Sequence, residues 1–360
     1  MNAPLFEKRI ANIQQRLEAW ECDVFISIDP FDNAYLTGFF GSASALLVSR
    51  NTARLLCDFR YIEQARTQTR GAGVVQCAGN LDARLGEQIA SLSCRNAAFE
   101  PETMTVSRYE AIKKSSGIEL ISAPGICRDL RLRKESGEIE RIAAATALAE
   151  EAVESVLARM NTGVSECALA GMLEYEFRKR GAQRASFDTI VLFGERSSLP
   201  HGKPDTRPLA HGDIVLLDCG CVLDGYCSDL TRTFVFGRIP GNWFQEIYEA
   251  VRLAQEAALQ AARAGAATRE VDAAARMTIE AAGYGEQFGH GTGHGVGLEV
   301  HEAPRLNAES CAILESGMVV TVEPGIYLPG KGGVRIEDLI VVTETGSNNL
   351  NRLSKELRIL

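Results

Sequence analysis

Apolar positions along the chain fall into two regimes, short dense runs and long stretches of helical period, and the balance between them changes near residue 125. Over residues 7–20 the apolar side chains recur every three or four positions, which predicts an amphipathic helix. ECDVFISI then has the density of a buried strand, and Pro30 with Asp32-Asn33 interrupts the pattern in DPFDNAYLTGF. SALLVS, ARLLCD and GAGVVQC read as further short strands, with helical windows at 59–68 and 81–91 between and after them. Alternation of this kind predicts a small α/β domain with a mixed sheet over residues 1–127.

Beyond Pro124-Gly125 a long helical period begins at about residue 134, with Ile139, Ile142, Ala143, Leu148 and Val153 on one face. Ser165 is placed to cap a second helix that stops at Gly181. SFDTIVLFG follows as a strand and RSSLPHGKPDTR as a loop pinned by Pro200 and Pro204. Helical windows at 242–264 and 268–282 come next, then the strands GLEVHE, GMVVTVEP and GGVRIEDLIVVTE, with EAPRLNAES as a loop. Residues 128–360 therefore read helix-helix-strands twice, an α+β domain with a hint of an internal two-fold repeat.

A chain of 360 residues exceeds what one growing core supports, in agreement with two domains. The net charge of −9 and the scattered basic residues exclude a nucleic-acid surface. The one basic run, RLRK at 131–134, reads as the solvated start of a helix. The ten cysteines lack framework spacing, so reduced thiols and a cytoplasmic location are expected, and no window approaches a membrane span.

The chemistry gathers in the second half, which holds all five histidines. In DIVLLDCGCVLDGYCSDLTRTFVFG, Asp224-Gly225 favours a tight hairpin turn. Residue 223 then faces 226 and Gly220 faces Asp229, so Asp218 and Asp229 share one side while Cys219 and Cys221 point to the other. Two carboxylates on one face repel unless a cation sits between them; the alternative is a solvated face. FGHGTGHGVGLEVHEAP places His290, His294 and His301 among glycines. That content argues against a helical zinc motif, and no phosphate-loop residues accompany it, so one imidazole is read as a ligand and the others stand around a substrate. Glu323 ends a strand before Pro324, and Arg335 and Glu337, two apart, share a strand face. Asp218, Asp229, His294, Glu323 and Glu337 together make five candidate ligands, whose four negative charges match two divalent cations. Such oxygen-rich ligation suits Mn, with Co or Zn as alternatives.

These motifs resemble the pita-bread metallopeptidases, which include methionine aminopeptidase, prolidase and aminopeptidase P. NAYLTGF and DFRYIEQA are similar to the creatinase-like N-terminal domain of that group, and the five candidate ligands fall on its dinuclear metal ligands, at separations of 11 and 14 within the two acidic pairs. The resemblance implies a pita-bread C-terminal domain with a pseudo-two-fold repeat. It implies further roles for His201, His290 and His301 as non-ligand site histidines, with Arg335 beside the last ligand and Glu323 as ligand and general base. His211 matches no site residue and reads as a surface residue in a turn. The extra N-terminal domain favours proline-type peptidases over methionine aminopeptidase. The expected activity is Xaa-Pro aminopeptidase, with Xaa-Pro dipeptidase (prolidase) as the alternative and a non-enzymatic peptide-binding protein disfavoured by the full ligand set. Arg305 falls on the arginine that clamps a dipeptide carboxylate in prolidases. The resemblance also implies a homodimer acting on short peptides with proline second, with the Asp29–Phe39 stretch lent to the partner's site.

Overall fold

The computed structural model describes residues 3–360. The chain divides into two compact units, Met1–Arg131 and Leu132–Leu360.

The first unit is built on a six-stranded mixed sheet in the order Gly73–Gln76, Ala53–Cys57, Ser44–Ser49, Val24–Ser27, Asn96–Phe99, Glu119–Ser122. Its central strand is antiparallel to Ser44–Ser49 and parallel to Asn96–Phe99, as a chain that alternates hairpins with helical crossovers must produce. The pattern break expected at Pro30 is instead the start of a helix, Pro30–Thr37. Pro30 occupies its first turn, where a missing N–H costs nothing, and the Asp29 carboxylate caps it by accepting from the Phe31 and Asp32 amides at 2.8 Å each. Residues 32–37 of this helix are buried, so most of the stretch expected as a loop is a capped helix.

Of the basic run at 131–134, Arg133 is exposed as expected, but Arg131 and Lys134 are not. Arg131 is buried and donates to Asp32 Oδ1 at 3.0 Å, while Lys134, buried in the second unit, pairs with Glu302 at 3.1 Å. Each cation is drawn inward by a carboxylate more than ninety positions away, a pairing no local pattern reveals.

In the second unit, the helices Ser136–Leu157 and Glu166–Lys179 pack on an antiparallel sheet of Ile190–Phe193, Ile214–Cys219 and Leu230–Val235. The helices Asn242–Ala261 and Thr268–Ala281 then pack on a five-stranded sheet: Glu302–Leu306, Gly293–Gly295, Val319–Val322, Asp338–Val342 and Ser347–Asn349. The element order thus repeats. Each pair of helices closes an apolar layer; truncating the fully buried Phe177 or Phe193 of the first to Ala would cost about 3–5 kcal/mol. Cys219 and Cys221 lie in that layer as small apolar side chains.

The hairpin keeps the anticipated register, Leu223 opposite Tyr226 and, further down, Asp218 opposite Thr231. GLEVHE is not a strand. Residues 297–301 form bends, and the strand is Glu302–Leu306, which includes the stretch expected as a loop. It lies at the edge of the sheet, where Pro304 removes no ladder bond that the fold needs. Among the described residues no helix is long and apolar enough to cross a membrane.

Candidate metal centre

The strand Ile214–Cys219 is buried along its whole length and brings Asp218 to its inner end. Asp229 immediately precedes the partner strand Leu230–Val235. That strand also reaches the segment carrying Glu337. The Glu337 amide donates to the Thr231 carbonyl at 3.1 Å, and the Thr231 hydroxyl donates to Glu337 Oε2 at 2.7 Å. Thr233 continues the seam, donating to the Arg335 carbonyl at 2.9 Å. Three acids that are distant in sequence are thereby sewn to one place by backbone and threonine hydroxyls.

His294 arrives from the second sheet on Gly293–Gly295. A Cβ at Gly293 would lie 2.0 Å from the Thr321 carbonyl oxygen and one at Gly295 2.1 Å from that of Ala303, so only glycine lets this short strand sit between its neighbours. Its imidazole Nδ1 lies 3.1 Å from the Gly295 carbonyl. A carbonyl only accepts, so Nδ1 carries the proton and Nε2 is left with a lone pair. Nε2 is 3.6 Å from Asp229 Oδ2 and 3.3 Å from Glu323 Oε1. Thr321 ties the two partners together, its hydroxyl accepting from the His294 amide at 3.0 Å and donating to Glu323 Oε1 at 3.1 Å.

Asp229, His294 and Glu337 each offer a ligand atom within 4.8 Å of the other two, a metal-binding cluster of buried side chains. Asp218 Oδ1 is buried with no hydrogen-bond partner, while its Oδ2 accepts from Arg335 Nη2 at 2.5 Å. Burial raises the carboxyls of Asp229 and Glu337 well above their ordinary range, and neighbouring carboxylates push further in the same direction. Burial also raises Asp218, against the pull of Arg335. Glu323 goes the other way: burial pushes it up, but the Arg335 guanidinium and the neighbouring His294 and His290 imidazoles outweigh that and lower it. A cluster of buried acids that repel one another, with an orphaned carboxylate oxygen among them, fits a divalent cation.

All of the sequence-predicted site residues line one cavity of about 590 Å³, including His201, His290, His301, Arg305 and Arg335. The three non-ligand histidines differ in their freedom. His290 is tied at both nitrogens, Nδ1 to the Gly291 carbonyl at 2.8 Å and Nε2 to the Tyr327 hydroxyl at 2.9 Å. His201 and His301 have no hydrogen-bond partner among the described residues, and the His301 ring sits edge-on to His294 at 4.5 Å. Burial, with His294 and Arg305 beside it, lowers His301 to about 4, so it is neutral near pH 7. Arg305 is exposed at the cavity wall and lies opposite His294 in the strand register. His211 is exposed in a turn, away from the cavity.

Sequence reasoning missed Thr189 and Asn307 in the cavity lining, and Tyr327 behind it against His290 and Arg335. Tyr327 accepts from Arg335 Nη1 at 2.7 Å and faces His290; burial pushes its hydroxyl up to about 12. Thr189 Oγ1 and Asn307 Oδ1 are buried at the cavity without partners. Tyr327 stands two residues into the strand after Glu323-Pro324-Gly325, so its alternation with the ligand was a usable signal; Thr189 and Asn307 offered none.

The fold and the acid-rich cluster are those of a metal-dependent peptidase with a creatinase-like N-terminal unit and a pita-bread C-terminal unit. Residues 140–344 match the model of Metallopeptidase family M24, and residues 9–133 that of the Creatinase/Prolidase N-terminal domain. The chain belongs to metallopeptidase family M24. It is 44% identical over 327 residues to the uncharacterized peptidase YqhT of Bacillus subtilis, covering 91% of this chain and 92% of that one. Its structure is similar to the Xaa-Pro dipeptidase of Bacillus anthracis, with a TM-score of 0.95, 42% identity and 100% of each chain covered. It is also similar to the X-Pro aminopeptidase of Thermotoga maritima, with a TM-score of 0.89, 36% identity, and 96% of this chain and 100% of that one covered.

Proposed function

We propose that the protein is a dinuclear metal-dependent exopeptidase that cuts the bond between an N-terminal residue and a following proline, with Xaa-Pro dipeptides as its preferred substrates. Asp218, Asp229, His294, Glu323 and Glu337 would hold the two ions, Mn first, with Co or Zn as alternatives. The bound ions would supply Lewis acidity and lower the pKa of a water. Glu323 takes the proton of the attacking water and passes it to the departing proline nitrogen. His201 and His301, whose ring nitrogens have no protein partner, donate to the substrate carbonyl as negative charge develops on its oxygen. His290, fastened to Tyr327 and through it to Arg335, keeps that side of the cavity in place. The reading includes a cytoplasmic homodimer, which sedimentation of the purified protein would test.

Arg305 carries the choice of dipeptides. Placed on a strand opposite His294 and lining the cavity, it makes no ion pair among the described residues. In a cavity dominated by acids, such a cation is suited to a substrate carboxylate beyond proline. The sequence alone favours an aminopeptidase; the placement of Arg305 favours the dipeptidase. Its exposure supports the aminopeptidase as a second reading, since a longer chain could pass it, and the similar structures include one of each name. Xaa-Pro and Xaa-Pro-Yaa peptides compared on wild type and Arg305→Ala separate the two. The dipeptidase loses about 10- to 100-fold in kcat/KM on the dipeptide with little change on the tripeptide. A wild type that prefers the tripeptide, and a mutant indistinguishable from it, would make the protein an aminopeptidase.

A further inference from the structure

Two buried carboxylates outside the metal cluster stand on the second helix of each half of the second unit, and each holds a loop that carries a cavity histidine. Glu166 begins the helix Glu166–Lys179 and is fully buried. It accepts from the backbone amides at both ends of the loop bearing His201, from Phe193 at 2.7 Å and Asp205 at 2.9 Å. Its two oxygens also face Arg196 Nε at 3.1 and 3.0 Å, and Arg196 Nη2 donates to the Lys203 carbonyl at 2.6 Å. The histidine is thus bracketed at 193, 203 and 205 by one carboxylate–arginine pair.

Asp272, on Thr268–Ala281 and 1% exposed, repeats the device. Its Oδ1 accepts from the Thr292 amide at 3.0 Å and hydroxyl at 2.8 Å. Both its oxygens receive Arg276, at 3.0 and 3.1 Å. Arg276 then donates to the Phe288 carbonyl at 2.8 Å and the His290 carbonyl at 2.9 Å. In both places the anion takes loop N–H groups and the cation takes loop carbonyls. Charge-assisted bonds of both polarities fix a short loop more firmly than either polarity alone.

We propose that Glu166–Arg196 and Asp272–Arg276 are positioning residues that set the His201 and His290 imidazoles in the cavity. A loop displaced by about 1 Å at a reacting centre can cost ~100-fold in rate, so loosening either pair would be felt in turnover. The proposal rests on the reading of this cavity as a peptidase site, and its test reads histidine position separately from turnover. The protein is loaded with a diamagnetic ion such as Zn and labelled at its histidines, with ring resonances assigned by single His→Ala changes. Glu166→Gln should move the His201 resonance and leave that of His290; Asp272→Asn should do the reverse.

Each variant should also lower kcat by about 10- to 100-fold with KM nearly unchanged. On a His201→Ala background Glu166→Gln should lower kcat no further, because a positioning residue acts through the group it positions. Should Glu166→Gln not fold, Arg196→Gln alters the partly exposed half of the same pair and is read in the same way. The proposal is overturned if each variant leaves its own histidine unmoved, or if both variants shift all the histidines alike. A moved His201 resonance with unchanged kcat supports the clamp and removes His201 from the proposed chemistry instead.

Discussion

Arg335 Nη2 lies 2.5 Å from Asp218 Oδ2, while the other oxygen of the same buried carboxylate has no hydrogen-bond partner. The guanidinium is itself held by the Tyr327 hydroxyl and the Thr231 hydroxyl, at 2.7 and 3.1 Å, so its place does not depend on Asp218 alone. Asp218 is therefore oriented by one oxygen and presents the other. A carboxylate fixed in this way can ligate with little rearrangement, and the arginine opposes the rise that burial gives its pKa.

Asp229→Ala removes the acid that shares the cluster with His294 and Glu337. The expected outcome is loss of bound metal together with hydrolysis, with thermal stability of the metal-free form equal to or above that of wild type, because one buried, repelling carboxyl is gone. Metal analysis and a melting curve on chelated protein check it. Near-wild-type turnover in this variant would remove Asp229 from the proposed ligand set.

His301→Ala is expected to lower kcat by about 100-fold while the metal content stays at the wild-type level. The distinction matters because the His301 ring touches that of His294, so a structural role would show as lost metal. Parallel loss of metal and activity would make it a support of the ligand histidine.

Asp32 predicts a pH dependence of stability in the first unit. Burial pushes its carboxyl up to about 6 against the pull of Arg131, and its Oδ2 has no partner. With the folded value above the unfolded one, its stabilising contribution is complete below about pH 4 and is lost as pH rises through 6. The loss amounts to about 3 kcal/mol at most. Urea unfolding of wild type and Asp32→Asn at pH 4.5 and 7.5 should show wild type losing more across that interval. Equal slopes would show that Asp32 ionises in the fold as freely as in the unfolded chain.

Much of this site was legible because its candidate ligands lie in strands and glycine-rich turns, where local rules are strict. The Asp224-Gly225 turn sets a register that carries Asp218 and Asp229 to one cavity, and the glycines around His294 exclude a helix. What stayed hidden depends on partners distant in sequence. Pro30 reads as a break until Asp29 is seen to cap it, and Arg131 and Lys134 read as solvated until Asp32 and Glu302 draw them in. Glu166 and Asp272 look like ordinary helix-surface acids, since only the folded loops reveal that their helices face inward there.

The central claim, that these acids and His294 hold catalytic divalent ions, is tested most directly by counting metal in the purified protein while following hydrolysis of an Xaa-Pro dipeptide. The purified protein should carry about two divalent ions per chain, lose hydrolysis when a chelator strips them, and regain it when Mn, Co or Zn is added back. Undiminished hydrolysis by protein stripped of metal would contradict that claim.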